Sequence, residues 1–289
     1  MKNGLITTLT SVDDQFPQRL KTIPDPPTKL YLRGEVPSDD RLAIAIVGSR
    51  KHSAYGRAVT QAIIESLAVY QPWIVSGLAL GIDAIAHQAA LDNNLPTIGL
   101  LPSGIEDIRP ATNRSLALAM LEAGGGLLSE YPGHTPTLKN HFYARNRLIS
   151  GLADAVVVIE AAQRSGTLIT ARTALEQGRE LIAIPGPITS ATSRGTNQLI
   201  QAGAHCLSRP EDIAAILDLE AKHQQQKRYS YDDDTQRAIH TLLQEGGKHS
   251  GDAIINQLEI KRSEYLSAIT MLELNGYIFP HGGDLWSAK

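Results

Sequence analysis

Short aliphatic and β-branched runs recur along the chain from residue 42: LAIAIV (42–47), WIVS (73–76), PTIGLL (96–101), GLLSE (126–130), AVVVIE from Ala155, ELIAIP (180–185) and AHCL (204–207). They are continuous rather than alternating, which suits strands covered on both faces. Between them lie segments of helical spacing, each opened by Gly, Ser or Thr. Strand–helix alternation of this kind predicts an α/β fold over residues 41–219, a Rossmann-like, doubly wound and mostly parallel sheet. Residues 1–40 hold Pro17, Pro24, Pro26, Pro27 and Pro37. They predict a short lead-in with a helical turn or two and one stub strand, KLYLRG.

Residues 220–234, EAKHQQQKRYSYDDD, have the composition of a linker. From 235 to 289 the apolar positions return at helical spacing: Ile239, Leu242 and Leu243, then Ile254, Ile255 and Leu258, then Leu266, Ile269 and Leu272. The tail GYIFPHGGDLWSAK reads as two short strands around Gly282-Gly283. Three helices and a hairpin outline a small C-terminal winged-helix-like domain. Residues 227–289 carry 7 Lys/Arg against 9 Asp/Glu, with Lys261-Arg262 at the start of the third helix. A duplex-binding surface needs positive charge to neutralise phosphates, so the domain reads as an interaction or structural module before a weak DNA contact.

The chain has 289 residues, of which 42% are hydrophobic, enough for one large domain and one small one. No run of about 18 apolar residues suggests a membrane span. The first residues, MKNGLITTLTSVDDQ, lack the pattern of a secretory signal. The single cysteine, Cys206, excludes an internal disulfide and a cysteine-rich zinc site. These features lead us to expect a cytoplasmic protein with no membrane partner.

Net charge is −3, yet the cations cluster. No acid occurs from Arg41 to Ile64, where Arg41, Arg50, Lys51 and Arg57 lie, nor from Tyr131 to Ala153, which holds Lys139, Arg145 and Arg147. The segment after AVVVIE contributes Arg164 and Arg172 before Glu176, and the segment from Leu181 to Pro210 contributes Arg194 and Arg209. In an open α/β sheet the loops after the strands share one edge, where ligands bind. That edge is therefore expected to attract an anion longer than a single phosphate. Several of the loops also open helices with Gly and hydroxyl residues: SGTLIT (Ser165, Gly166, Thr167), SRGTN and SGLALGID. Free N–H groups at helix starts favour phosphate oxygens, although Ser and Thr also cap helices.

Several activities lack their motifs. There is no G-x-x-x-x-G-K-S/T run for a P-loop ATPase. The first strand ends in VGSR and not G-x-G-x-x-G, so a nicotinamide cofactor is not expected. Asp83 and His87, at i and i+4 of GIDAIAH, lack a third metal ligand. They are expected to order the helix start and its loop, and neither a metal nor another cofactor is expected.

IVGSR, SGLALGIDAIAHQAAL, FYARNRLISGL, VVVIEAAQRSGTLITARTALEQGRELIAIPG and GTNQLIQAGA together resemble the DNA-processing protein A (DprA/Smf) family, in order, across about residues 28–210. The resemblance implies an extended Rossmann domain that dimerises, binds single-stranded DNA and loads the RecA recombinase onto it in natural transformation, without enzymatic activity. By motif, it implies that Arg50, beside Ser49 in the GSR turn, contacts the DNA backbone, that Lys139 holds a phosphate and that Phe142 stacks on a base. The chain departs from the family at Tyr143, where a proline is expected, and at Ile108-Arg109-Pro110, where a tyrosine tends to precede the proline.

In a helix over 142–152, Leu148, Ile149 and Leu152 mark the core side. Arg145 shares that side and is expected to be half buried, ordering the loop through Glu130 or Glu160. Arg147 lies off it and is expected to contact the ligand or brace the groove wall. The candidate DNA-binding set is thus Ser49, Arg50, Lys139, Phe142, Arg147, Arg164, Ser165, Gly166 and Thr167. A homodimer interface, implied by the resemblance, is sought at Leu199, Ile200 and Leu207. Two alternatives stand beside this reading. One is a Rossmannoid nucleotide phosphoribohydrolase, for which Thr170 stands where a carboxylate is needed; the other is a duplex-DNA regulator acting through the winged helix.

Overall fold

The computed structural model describes residues 5–219, 231, 233–246 and 248–288. The chain divides into two compact units, residues 1–219 and 220–289. The linker expected over 220–234 lies mostly outside the described residues.

The first unit opens with β1 (Ile6–Thr10), α1 (Gln18–Lys21) and β2 (Lys29–Gly34). Then come β3 (Ala43–Val47), α2 (Ala54–Leu67), β4 (Trp73–Ser76), α3 (Ile82–Asp92), β5 (Thr97–Gly104), α4 (Arg114–Glu122), β6 (Gly126–Tyr131) and α5 (Lys139–Leu152). It continues with β7 (Ala155–Val158), α6 (Thr167–Glu176), β8 (Glu180–Ala183), α7 (Arg194–Gln201), β9 (His205–Cys206) and α8 (Asp212–Ile216). All nine strands form one sheet, in the order β1-β2-β6-β5-β4-β3-β7-β8-β9. From β6 to β9 every pairing is parallel; β2 joins β6, and β1 joins β2, antiparallel. Residues 1–40 are therefore more than a lead-in. They add two strands to the sheet, and the Thr-rich β1 was too short and too polar to be read from its pattern.

β3 shows why the strand runs are unbroken. Ala43, Ala45 and Val47 pack on one face with Leu148, Ile149 and Leu152 of α5 and Ala171 and Ala174 of α6. Ile44 and Ile46 pack on the other with Ile63, Ile64 and Leu67 of α2 and Ile82 of α3. Each fully buried Val, Leu or Ile side chain among them contributes about 1.5–3 kcal/mol relative to exposure. Both faces of the central strand are covered, as a doubly wound sheet requires.

The chain steps from β3 through β4 and β5 to β6 on one side, then returns through α5 to β7 on the other side of β3. The carboxyl ends of β3 and β7 thus diverge at a topological switch point, the crevice where open α/β sheets bind ligands.

The second unit holds α9 (Asp234–Gly246), β10 (His249–Ser250), α10 (Gly251–Leu258), α11 (Arg262–Leu274), β11 (Ile278–Pro280) and β12 (Leu285–Ala288). Its strands form an antiparallel sheet in the order β10-β12-β11. Ile239, Leu243, Ile254, Tyr265, Ile269 and Leu272 form its core. Gly282 and Gly283 turn the β11–β12 hairpin with φ of 85° and 62°, a conformation that glycine adopts without a Cβ clash. Among the described residues, no helix is long and apolar enough to cross a membrane.

Candidate nucleic-acid interface

An open trough of about 680 Å³ lies at the switch point. The turn after β3 supplies Ser49, Arg50 and Lys51, and the turn after β7 supplies Arg164, Ser165 and Gly166. α5 runs back to the sheet before β7, which brings its first turns, with Lys139, Phe142 and Tyr143, to the same rim.

The two turns are tied across the crevice. The Thr167 hydroxyl donates to the Gly48 carbonyl at 3.1 Å, and the Ser165 Oγ accepts from the Thr167 N–H at 3.2 Å. The Ser49 Oγ accepts from the Lys51 N–H at 3.1 Å, so its hydroxyl shapes the turn that carries Arg50. Gly81, at φ 82°, lies so close to the Ser49 carbonyl and to Arg50 that no side chain fits there. Glu160, 2% exposed, fastens the rim from below. It accepts from the Ser53 N–H at 2.9 Å, from the Ser53 hydroxyl at 2.6 Å and from the Thr192 hydroxyl at 3.1 Å. Its carboxylate thus sits at the start of α2, where its negative charge is favoured. From the sequence alone, Glu160 is expected only as a partner for Arg145.

Arg50, Lys51, Lys139 and Arg164 are exposed at this rim. The Arg50 guanidinium lies over the Phe142 ring, 5.2 Å from its centroid, a cation–π distance. Tyr143 is also exposed beside the trough, at 49%. The one carboxylate in the lining is Asp83, which is buried.

Asp83 belongs to a polar cluster under the floor. Arg145 is 5% exposed and more deeply placed than the half burial expected of it. Its Nη1 donates to the Gly77 carbonyl and, at 2.7 Å, to the Leu100 carbonyl, while Nε donates to the Asn146 Oδ1 at 3.2 Å. Neither Glu130 nor Glu160 is its partner; it joins the turn after β4 to the middle of β5 instead. Burial lowers its pKa to about 10, against the attraction of Asp83. Burial raises the Asp83 pKa, opposed chiefly by Arg145.

His87, fully buried, has Nδ1 2.7 Å from the Thr97 Oγ1. The Thr97 hydroxyl spends its proton on the Ile74 carbonyl at 2.7 Å. Thr97 must therefore accept, which puts the imidazole proton on Nδ1. Burial, with Arg145 second, pushes the His87 pKa down to about 3. No group of metal ligands occurs among the described residues.

Of the nine residues read as DNA-contacting, eight line the trough: Ser49, Arg50, Lys139, Phe142, Arg164, Ser165, Gly166 and Thr167. Arg147 does not. Its Nε meets Asp25 at 2.9 Å, its Nη2 donates to Glu130, and its side chain is 14% exposed. It fastens α5 to β6 and to the segment before β2, so its charge is already matched by two carboxylates. Of the residues where a dimer interface is expected, Leu207 is corrected. Leu207 is 3% exposed in the core, and Leu199 packs against the core; of the three, Ile200 keeps reachable surface without joining either cluster.

The geometry coincides with clear relationships to known proteins. Protein Smf of Escherichia coli is 46% identical over 210 residues, covering 72% of this chain and 56% of that one. The solved DNA processing protein A of Streptococcus pneumoniae superposes with a TM-score of 0.68 at 38% identity, covering 74% of this chain and 75% of that one. The Helicobacter pylori protein, solved for its single-stranded DNA binding mode, gives a TM-score of 0.65 at 31% identity, covering 77% of this chain and 99% of that one. The aligned region spans just over half of the E. coli protein. The profile of the DNA recombination-mediator protein A family matches residues 7–218, and the chain belongs to that family.

Proposed function

We propose that the chain is a single-strand DNA-binding recombination mediator, which grips an unpaired polynucleotide in the trough. The observation that carries this is the meeting of Arg50, Lys139, Arg164 and the Phe142 ring on one rim whose only lining carboxylate is buried. A cationic groove tracks the phosphates, and an aromatic face takes bases without reading them, each stack contributing about 1–3 kcal/mol. The Ser165-Gly166-Thr167 turn opens α6 at this rim, so the positive end of the helix dipole favours a phosphate there. The single-strand binding described for the H. pylori protein supports the same reading.

The biological setting is part of the proposal: a cytoplasmic homodimer that delivers the strand to RecA during natural transformation and breaks no bond. The second unit, with the element order of a winged helix, is proposed to bind a protein partner, since its sequence is net acidic.

The test is fluorescence anisotropy with single- and double-stranded oligonucleotides at two ionic strengths. Preference for the single strand and a steep salt dependence are expected. Arg50→Ala with Lys139→Ala should weaken binding to all sequences alike, and intact affinity in that double variant would refute the assignment. RecA delivery is tested by the rate of RecA-dependent strand exchange with and without the protein, and bond-breaking by looking for free base after incubation with nucleoside monophosphates.

A further inference from the structure

We propose that the bound strand leaves the trough on one side, over α7, where Arg194 and Gln198 hold the sugar–phosphate backbone of the departing nucleotides. The inference rests on the single-strand reading above and adds a direction to it.

A second hollow, of about 570 Å³, adjoins the trough and shares Ala162, Arg164 and Ala191 with it. Gln163, Arg194 and Gln198 complete its lining, and no carboxylate is among them. Arg194 opens α7 and Gln198 follows at i+4, so both side chains stand on one stripe of that helix. Both are exposed. Arg164 and Arg194 have no ion-pair partner among the described residues. Two free guanidiniums and two amide side chains supply only hydrogen-bond donors and neutral acceptors, which suits a chain of phosphates.

The opposite end of the trough is different. There a hollow of about 420 Å³ shares Arg50, Ala79, Phe142 and Arg145 with the trough. Its outer cation, Arg109, meets Asp107 at 2.9 Å. Leu80, Pro102, Pro110 and Pro136 make the rest of that surface largely apolar. Beyond the shared Arg50, a phosphate arriving there would meet a neutralised arginine and a carboxylate, whereas beyond the shared Arg164 it meets the uncompensated charge of Arg194 over α7. Electrostatics therefore assigns the path to α7.

The experiment uses the full chain with oligothymidylates of about 5 and about 20 nucleotides, one near the size of a minimal single-strand site and one well beyond it. Arg194→Ala should leave the affinity for the short oligonucleotide unchanged and weaken the long one about fivefold. Its log–log salt slope for the long oligonucleotide should be shallower by about 0.7, the share of one phosphate contact on a single strand. Gln198→Ala should act in the same direction without altering the slope, and Arg109→Ala should alter neither length. Arg194→Lys, which keeps the charge, should retain most of the long-oligonucleotide affinity. Equal loss at both lengths for Arg194→Ala, no loss at either, or a length-dependent loss for Arg109→Ala would overturn the path. Wild-type protein that binds neither length would instead overturn the single-strand reading itself.

Discussion

Arg50 and Phe142 meet at the rim of the trough, the guanidinium over the ring and 5.2 Å from its centroid, although one belongs to the turn after β3 and the other to α5. The charge that would meet a phosphate and the ring that would meet a base are thereby held as one unit. Phe142→Ala removes both the stacking face and the support under Arg50. We expect a loss of about 1–3 kcal/mol in single-strand affinity, measured by anisotropy, with little change in thermal stability because Phe142 is only partly buried. Phe142→Trp should retain the affinity.

Arg145 is a structural cation. Truncation to Met leaves the Gly77 and Leu100 carbonyls without their donor and deprives the buried Asp83 of its main opposing charge, with the weaker pull of Arg50 remaining. Breaking a buried charged pair costs about 3–5 kcal/mol, and urea denaturation of Arg145→Met should show a loss of that order. Adding Asp83→Asn should recover part of it, because the stranded carboxylate is then gone. Strictly additive losses would mean that the two groups do not interact.

His87 gives the fold an acid sensitivity with a defined direction. Above about pH 6.5 neither the folded nor the unfolded chain protonates this group, and it is silent. Below that, the unfolded chain takes up a proton which the folded chain refuses until about pH 3. Stability is therefore lost progressively as pH falls through that window, by about 2 kcal/mol at pH 5. His87→Asn, which can still donate to Thr97, should show a smaller difference in unfolding free energy between pH 7 and pH 5.

Arg147 separates a brace from a contact. Its pairs with Asp25 and Glu130 predict that Arg147→Ala destabilises the first unit, leaving the half-buried Glu130 without its partner. The folded fraction should bind single strands as the wild type does. A selective loss of affinity at unchanged stability would return Arg147 to the ligand.

The sheet was readable because its central strands are buried on both faces and leave unbroken apolar runs, as at Ala43–Val47. The trough was readable because loops without acids come together at one edge of such a sheet. What escaped the reading depended on neighbours distant in the chain. Arg147 does lie off the core stripe of α5, but Asp25 and Glu130 cover that side, and nothing local to FYARNRLISGL announces them. Leu207 looks like a free apolar residue next to polar ones; α8 and β8 bury it. Glu160 ends an apolar strand and carries no local sign that Ser53 and Thr192 will meet at its carboxylate.

The parallel run from β6 to β9 gives the first unit two unlike poles. The turns that line the trough crowd one, while the turns leading into β5, β6 and β8 occupy the other. Ala123, exposed at the end of α4 just before β6, belongs to that quiet pole. With the exposed Cys206 replaced by serine, Ala123→Cys would accept a dye or a surface tether well away from the strand, a handle through which capture of single molecules could be watched without disturbing it.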